Sequence, residues 1–365
     1  MFERERRKEY ELIDQLQPYN ILMPKILQKA KEIKSECKDF IITDLPSVNI
    51  EVDSNDRITF TDCLGRETFY TTEHSMSQLC NRLDVPYKNF YKKLRCSKRF
   101  RLEKIALTKN VIESLSQYCN KGIMIRTYRD WIRAILSDKY SPYDSDQITE
   151  VVDASLKYSS IKTSELQIGT YLNSPEQLHL RIIHAVPIKC EKQEIYCGFT
   201  FDSSDIGLAT ISINFYIYES LKSNGIRISV KPGTKNVLFA QRHININDKN
   251  IREKIIEACD SFPEIAKNIR SYIDFATETT LKNSGLYSPK SYNGRMMLKE
   301  LNITNKEIDE FMKYVEKNPK TLWGYITAIT DYARERGRQQ RWHLEKTAGQ
   351  ILLNPQRYGI MKEEF

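Results

Sequence analysis

The feature that most constrains the fold is a block of strand-forming runs between residues 178 and 243. The runs are rich in β-branched and aromatic residues and cover 178–188, 195–201, 209–218 and 226–230. Asn224-Gly225 and Pro232-Gly233 supply turn residues within the block. Short strands that follow one another through turns pair as neighbours, so the block predicts an antiparallel sheet.

Helical patterns flank this block on both sides. Residues 1 to about 38 are rich in Lys and Glu and predict one or two helices, interrupted at Pro18 and Pro24. After residue 250 the pattern is helical again and ends in a closing helix over about 321–353. We therefore expect an α+β fold with a central antiparallel sheet flanked by N-terminal and C-terminal helices.

Two shorter regions add strands. Residues 47–71 alternate apolar and polar residues, as strands with one buried face do. Residues 122–137 predict a β-hairpin around the turn Arg129-Asp130. In this hairpin we expect alternating residues to share one side of each strand, namely Ile123, Ile125 and Thr127, and Ile132, Ala134 and Leu136. Asp144 and Gln147 have the spacing of a cap for the helix that follows.

Residues 75–104 predict a helical hairpin. Ser75 and Gln78 have the spacing of a capping box that opens a helix ending near Leu83, and a second helix follows over 87–94. Two helices joined by a short turn form the motif with which many proteins enter the DNA major groove. The same spacing is common in purely structural hairpins, so both interpretations stay open.

The chain length of 365 residues allows one large domain or two of ordinary size. The patterns divide it into a helical segment over 1–40, an α+β domain over 41–350 with a helical part at 250–350, and a tail over 351–365. No apolar run approaches the roughly 20 residues of a membrane helix, and the N-terminus lacks a signal-peptide pattern. We expect a cytoplasmic protein without membrane contact.

Positive charge is concentrated in one segment. The chain has a net charge of +8, and residues 88–104 hold eight cations against one acid, Glu103, for a net charge of +7. Lys and Arg neutralise phosphates, and aromatic residues between them stack on unpaired bases. We predict nucleic-acid contact by Lys88, Lys92, Lys93, Arg95, Lys98, Arg99, Arg101 and Lys104, with stacking by Tyr87 and Tyr91. The alternative is a solvated basic face whose aromatic residues belong to the core.

Two further sets extend the predicted interface. The hairpin set is Arg126, Arg129, Arg133 and Lys139, with Tyr128, Trp131 and Tyr140 as stacking residues. A sheet that bears arginines and aromatic rings is a known platform for single strands. The C-terminal set is Arg334, Arg338 and Arg341, whose spacing places them on one face of a continuous helix. Core and ordinary surface roles would explain both sets as well.

Sequence motifs of the common catalytic and metal-binding classes are absent. There is no phosphate-binding P-loop, no H-E-x-x-H, no G-x-S-x-G and no C-x-x-C. Two acidic pairs, Asp144 with Asp146 and Asp202 with Asp205, would suit a two-metal nuclease, although turn and cap roles explain them more simply. We expect a protein that is not an enzyme and holds neither metal nor cofactor.

Four ordered stretches resemble the phage/plasmid-like protein family, a domain family of uncharacterised function found in phages, plasmids and prophages. They are Thr72–Leu79 with Val85-Pro86, Ile132–Tyr140, Gly198–Gly207 with Ser223-Asn224-Gly225, and Trp323–Thr330 with Leu344-Glu345 and Gly349. The resemblance implies an origin in a mobile genetic element and one continuous α+β domain. It also implies a role in phage DNA replication or recombination.

These observations predict a nucleic-acid-binding protein of a phage or plasmid. Single-stranded DNA is the favoured ligand, with strand binding or annealing in recombination or replication as the role, and homo-oligomers are expected. The first alternative is a module that binds a host protein and modulates host defence or replication through the same basic patch. The second alternative is a metal-dependent nuclease.

Overall fold

The protein has an α+β fold built on two β-sheets. The computed structural model describes residues 16–53, 57–61, 67–93, 101–191, 194–218, 225–228, 239–243, 246–281, 285–358 and 360. The strands are β1 (Gln17–Pro18), β2 (Cys37–Ile42), β3 (Asn49–Val52), β4 (Arg57–Thr61), β5 (Glu67–Thr71), β6 (Ile123–Tyr128), β7 (Trp131–Ser137), β8 (Leu166–Asn173), β9 (Leu178–His184), β10 (Ile188–Lys189), β11 (Glu194–Ser203), β12 (Ile211–Tyr218), β13 (Gly225–Ile228) and β14 (Phe239–Gln241).

The helices precede, separate and follow these strands. They are α1 (Tyr19–Ser35), α2 (Glu73–Arg82), α3 (Arg101–Ser116), α4 (Ser145–Tyr158), α5 (Asp248–Asp260), α6 (Phe262–Glu278), α7 (Tyr292–Glu300), α8 (Ile308–Lys317), α9 (Leu322–Arg334) and α10 (Arg338–Leu353). A π-helical turn, Tyr87–Tyr91, follows α2. In the described ranges, no helix combines the length and the apolar character needed to cross a bilayer.

The first sheet has six strands in the order β2-β6-β7-β5-β4-β3. Its neighbouring strands are antiparallel except for the parallel pair β5 and β7. The strands predicted over 47–71 and the hairpin over 122–137 are confirmed, and β2 forms where the end of a helix was expected. One face of the sheet packs against α2 and α3 in a hydrophobic cluster that includes Ile50, Phe60 and Leu79.

The second sheet has eight strands. Its order is β1-β8-β9-β11-β12-β13, with β10 paired to β11 and β14 to β12, and every pair is antiparallel. Alternate residues such as Leu180, Phe199 and Phe215 point into a large hydrophobic cluster covered by α1 and α4 to α10. The antiparallel sheet predicted over 178–243 is confirmed, and β8 adds a strand that was not predicted.

Three predictions about helix boundaries are wrong. Pro24 lies inside α1 and does not interrupt it. The closing helix predicted over 321–353 is divided into α9 and α10 at residues 335–337. α2 begins one turn earlier than expected, because the hydroxyl of Thr72 accepts a hydrogen bond from the backbone N–H of Ser75 at 3.0 Å and forms the capping box with it.

A β-bulge in β7 changes which residues of the hairpin face the same way. Arg133 is an extra residue between Ile132 and Ala134, which both have partners on β6. Ile132 and Ile135 are three residues apart, yet both face the first-sheet cluster. Ala134 and Leu136 face the second sheet, so the predicted alternation of Ile132, Ala134 and Leu136 is wrong. The bulge turns Arg133 toward the second sheet.

Gly198 on β11 lies so close to the backbone of β9 that this position has no room for a side chain. A Cβ atom there would lie 2.0 Å from the carbonyl oxygen of Ile182 and 2.8 Å from the Cα of Ile183 on β9. Because backbone atoms cannot yield as a flexible side chain can, we expect Gly198→Ala to lower the free energy of unfolding by roughly 1–3 kcal/mol. Urea denaturation measures the change. Gly337→Ala is the control, since nothing lies within 4 Å of its added Cβ, and equal stability of the two variants would contradict the expectation.

Candidate nucleic-acid interface

α2 is held on two sides. Leu79 is fully buried in the first-sheet cluster. On another side of the helix, Nε2 of His74 and Nε2 of Gln78 both lie 3.0 Å from the carbonyl oxygen of Ile206, in the loop after β11. Only two of its ten residues are exposed. α2, the first helix of the predicted hairpin, therefore has no free face with which to enter a major groove.

A cleft of about 670 Å³ lies between the C-terminal half of α2 and the end of β7. Its lining residues are Gln78, Asn81, Arg82, Lys121, Ile135, Leu136, Ser137, Lys139 and Tyr140, of which three are cations and none is acidic. Lys121 lies 3.4 Å from Asp84, whereas Arg82 and Lys139 have no ion-pair partner in the described part of the chain. The cleft therefore presents positive charge that the described residues do not neutralise.

The floor of the cleft is fixed by contacts within the protein. Gln78 donates from Nε2 to the carbonyl oxygen of Ile206 at 3.0 Å, and its Oε1 accepts from the backbone N–H of Ile135 at 2.9 Å. The Tyr140 ring stacks on the His243 ring, with centroids 5.4 Å apart and planes at 10°. Burial lowers the pKa of His243 to about 4. At neutral pH the imidazole is therefore uncharged, and the stacked pair is a neutral platform.

The structure describes part of the predicted basic segment. Lys92 and Lys93 are exposed, and Lys92 forms an ion pair with Glu73 at the start of α2. Tyr91 is buried in the first-sheet cluster, so its predicted stacking role is wrong. Outside the described residues lie Arg95, Lys98 and Arg99, and for Tyr87, Lys88, Arg101 and Lys104 the structure describes the backbone alone.

The surface part of the hairpin set is smaller than predicted. Arg129 is exposed, but it is ion-paired and its guanidinium lies over the Tyr128 ring, 4.9 Å from the centroid. Tyr128 is buried, which excludes the predicted stacking on a base. Trp131 is half-buried against the ring of a neighbouring tyrosine. Of this set, Lys139 and Tyr140 line the cleft.

The C-terminal set does not form one surface. The helix that was expected to carry all three arginines is interrupted at 335–337. Arg334 ends α9 and Arg338 begins α10, so the three arginines do not share one helix face. Arg341 is buried, and its Nε donates to Oε1 of Glu345 at 3.1 Å, so its predicted phosphate contact is wrong. Arg334 is exposed at the end of α9, and the backbone alone is described for Arg338. Neither residue lines the cleft.

Arg126 and Arg133 are buried as well, and they join the two sheets. Arg126 donates from Nε and Nη2 to the carboxylate of Asp39 at 2.9 Å each, from Nη2 to Asp144 at 2.6 Å, and from Nη1 to the backbone oxygen of Asp205 at 2.7 Å. Arg133 donates from Nη1 to Oδ2 of Asp205 at 2.6 Å. These five residues form the sheet-junction cluster. The exposed fractions of the two arginines are 0% and 1%, so the predicted phosphate contacts by both are wrong.

Asp144 and Asp205 are unequal acids in this cluster. Burial raises the pKa of Asp205 to about 7, and the hydrogen bond to Asp144 and the charge of Asp144 act in the same direction. For Asp144, burial alone would raise the pKa, but the hydrogen bond from Asp205 and the charges of Arg126 and Arg133 lower it below its usual range. The charges of Arg133 and Arg126 oppose the rise for Asp205 without cancelling it, so Asp205 is the carboxyl of the pair that takes up a proton first.

The acidic pairs of the sequence do not form a metal site. Asp144 and Asp205 come from different pairs and meet in the sheet-junction cluster. Asp202 lies elsewhere on the second sheet, where it accepts from Nδ1 of His179 at 2.5 Å and from Arg227. In the described ranges, no group of three or more His, Cys, Asp or Glu residues is arranged to hold a metal. Since cations of the protein already neutralise these carboxylates, the nuclease alternative loses the observation that motivated it.

Seven of the nine residues that line the cleft were not predicted as binding residues, among them Asn81, Arg82 and Lys121. Asn81 and Arg82 had a usable signal, because His74, Gln78 and Asn81 follow one another at the spacing of one polar helix face. Lys121 precedes β6, and no local pattern links it to α2. Its place in the cleft is a consequence of tertiary structure.

No protein family model, curated protein or solved structure matches this chain. The resemblance to the phage/plasmid-like family stays a prediction. Three of its stretches meet around the cleft. Thr72–Leu79 forms most of α2, Ile132–Tyr140 forms β7 and the cleft edge, and Gly198–Gly207 carries Asp205 and Ile206.

Asparagine substitutions distinguish the two carboxyl groups. Asparagine has the shape of a protonated aspartate, so Asp205→Asn keeps a donor toward Asp144 and an acceptor for Arg133. We expect its free energy of unfolding at pH 5 to stay within about 1 kcal/mol of the parent. Asp144→Asn removes the charge that Arg126 and Lys34 contact. We expect it to cost about 3–5 kcal/mol, as when one partner of a buried ion pair is lost. Urea denaturation measures both, and equal losses would refute the assignment.

The proton on Asp205 predicts that the stability of the folded protein falls as the pH rises. The pKa of Asp205 is about 7 in the folded protein against an ordinary value of 3.8. The stability gained from this proton is complete below about pH 4 and is lost as the pH rises through 7, by at most about 1.4 kcal/mol per pH unit. Asp205→Asn lacks this titration, so its stability relative to the parent should increase between pH 5 and pH 8. A constant or decreasing difference in the same denaturation experiment would show that Asp205 is not the proton carrier.

Proposed function

We propose that the protein binds nucleic acid at the cleft between α2 and β7, with single-stranded DNA as the favoured ligand. The supporting observation is the charge of the cleft. Arg82 and Lys139 line it without carboxylate partners among the described residues, and Lys121 adds a third cation. Such cations bind phosphates and release the counterions that surround them, which is the main source of affinity for a strand without regard to its sequence.

The shape of the surface favours a single strand over a duplex. Reading a duplex in the major groove requires a protruding element such as a helix. α2 lies flat between the first sheet and the loop after β11, where Gln78 fixes it. The cleft is concave, its apolar lining includes Leu136, and Tyr140 provides an aromatic ring. An apolar lining with an aromatic ring suits an exposed base, and a base of this kind is available in a single strand.

The proposed setting follows from the family resemblance. A phage or plasmid protein of this kind would act in the host cytoplasm, in strand binding or annealing during recombination or replication. It would act without a catalytic step, and proteins that coat a strand commonly do so as homo-oligomers. The alternative is a host protein with an acidic surface as the partner of the same cations.

Charge reversal in the cleft tests the proposal. We expect Arg82→Glu and Lys139→Glu each to weaken binding of fluorescein-labelled dT₂₀ at least about tenfold at low salt. Each should also reduce the slope of log K against log salt by about 0.7, the value for one phosphate contact on a single strand. Fluorescence anisotropy between 25 and 200 mM NaCl measures both quantities.

The control is Lys267→Glu, which makes the same charge change at an exposed position of α6 outside the cleft. It should bind nearly as tightly as the parent. Negligible or salt-independent binding by the parent protein would refute the proposed function. In that case, capture of one stoichiometric protein from a nuclease-treated host lysate, lost in Arg82→Glu and kept in Lys267→Glu, would support the protein-partner alternative.

A further inference from the structure

We propose that the cleft holds one unstacked nucleotide of the bound strand, with Asn81 at the edge of its base and Arg82 and Lys139 at its phosphate. The inference rests on the proposed nucleic-acid binding and adds a site that distinguishes among bases. It predicts a preference for adenine at one position of an otherwise freely bound strand.

The size of the cleft fits a ligand of nucleotide size. Its volume of about 670 Å³ lies within the range of roughly 300–1,000 Å³ that is usual for small-molecule sites. Such sites combine an apolar lining with a few convergent polar groups. Here the apolar side chains of the lining are Leu136 and the ring of Tyr140, since Ile135 faces the first-sheet cluster, and the cations and Asn81 lie around them. A base fills the apolar part of such a cleft and leaves its phosphate at the charged rim.

Asn81 is the amide of the cleft that remains available to a ligand. The amide of Gln78 is held at both ends, by the carbonyl oxygen of Ile206 and by the backbone N–H of Ile135. The hydroxyl of Ser137 is engaged with the residues that follow it. Asn81 is exposed, and its side-chain amide has no hydrogen bond with any described residue. Its amide offers one donor and one acceptor side by side, the pair that matches N7 and N6 of adenine.

The aromatic part of the cleft is ordered before a ligand arrives. Tyr140 stacks on the buried ring of His243, and the backbone N–H of Ser141 donates to the carbonyl oxygen of His243 at 3.2 Å. The loop after β7 is therefore joined to the second sheet next to the ring. A ring that is already fixed loses little conformational freedom when a base contacts it, so stacking is favoured. Lys139 immediately precedes Tyr140 and lines the same cleft, so we assign it to the phosphate of the same nucleotide.

Two substitutions at Asn81 test separately whether a nucleotide lies in the cleft and whether the Asn81 amide contacts its base. Asn81→Trp fills the cleft from an exposed helix position, and we expect it to weaken binding of labelled dT₁₂ at least tenfold. Lys267→Trp on α6 is the matched control for an exposed tryptophan and should bind like the parent.

Asn81→Leu removes the amide and keeps the volume of the side chain. With the parent, dT₁₂ that carries one central dA should bind about three- to tenfold more tightly than all-dT dT₁₂, and Asn81→Leu should abolish this difference. Thermal unfolding of each variant confirms that the fold is kept.

The outcomes distinguish this inference from the proposed function. If the parent binds dT₁₂ in a salt-dependent way and Asn81→Trp binds as tightly as Lys267→Trp, the cleft is not the nucleotide site, while nucleic-acid binding stands. If Asn81→Leu keeps the preference for dA, or if the parent has no such preference, the role of Asn81 at the base edge is overturned. If the parent binds no strand at low salt, both proposals fail.

Discussion

Arg126 and Arg133 are withdrawn from water, and the junction of the two sheets depends on them. Removing an ion from water costs several kcal/mol unless close partners compensate it, and here those partners are carboxylates at 2.6–2.9 Å from β2, the cap of α4 and the loop after β11. That loop also supplies the carbonyl of Ile206, which holds α2 through His74 and Gln78. The ionic junction therefore fixes one wall of the cleft, and the cleft geometry depends on its integrity.

The sequence predicts features whose cause is local. The antiparallel sheet follows from runs of β-branched residues between turns, and the cap of α4 follows from Asp144 and Gln147, which form the capping box in the structure. The burial of Arg126 has no local cause, since two of its hydrogen-bond partners, the carboxylate of Asp39 and the backbone oxygen of Asp205, lie 87 and 79 residues away along the chain. An arginine at alternate positions of a strand is typical of a solvated face. Only the tertiary arrangement shows that this face meets a second sheet. The bulge at Arg133 is likewise invisible in the pattern, because an extra residue leaves the composition of the strand unchanged.

The candidate site was predictable in part. Lys139 and Tyr140 were identified from their position after the hairpin, and both line the cleft. The excess of charge over 88–104 did not indicate the cleft, because no described residue of that segment lines it and Lys92 pairs with Glu73 at the other end of α2. Asn81 lies on a polar face of α2 that the sequence shows, but neither that face nor Lys121 carries a local signal for the cleft. Both residues join the cleft because α2 packs across β7, a contact made between distant parts of the chain.

The proposed binding site for a strand is the place where α2 crosses the end of β7. Photocrosslinking of 5-iodouracil-substituted single-stranded DNA to the protein, followed by mass spectrometry of the crosslinked peptides, locates the bound strand. We expect crosslinks on peptides that contain residues 78–82 and 135–140, and their loss when excess unlabelled strand competes. Competed crosslinks confined to α9, α10 or the other helices that cover the second sheet would contradict the proposed site.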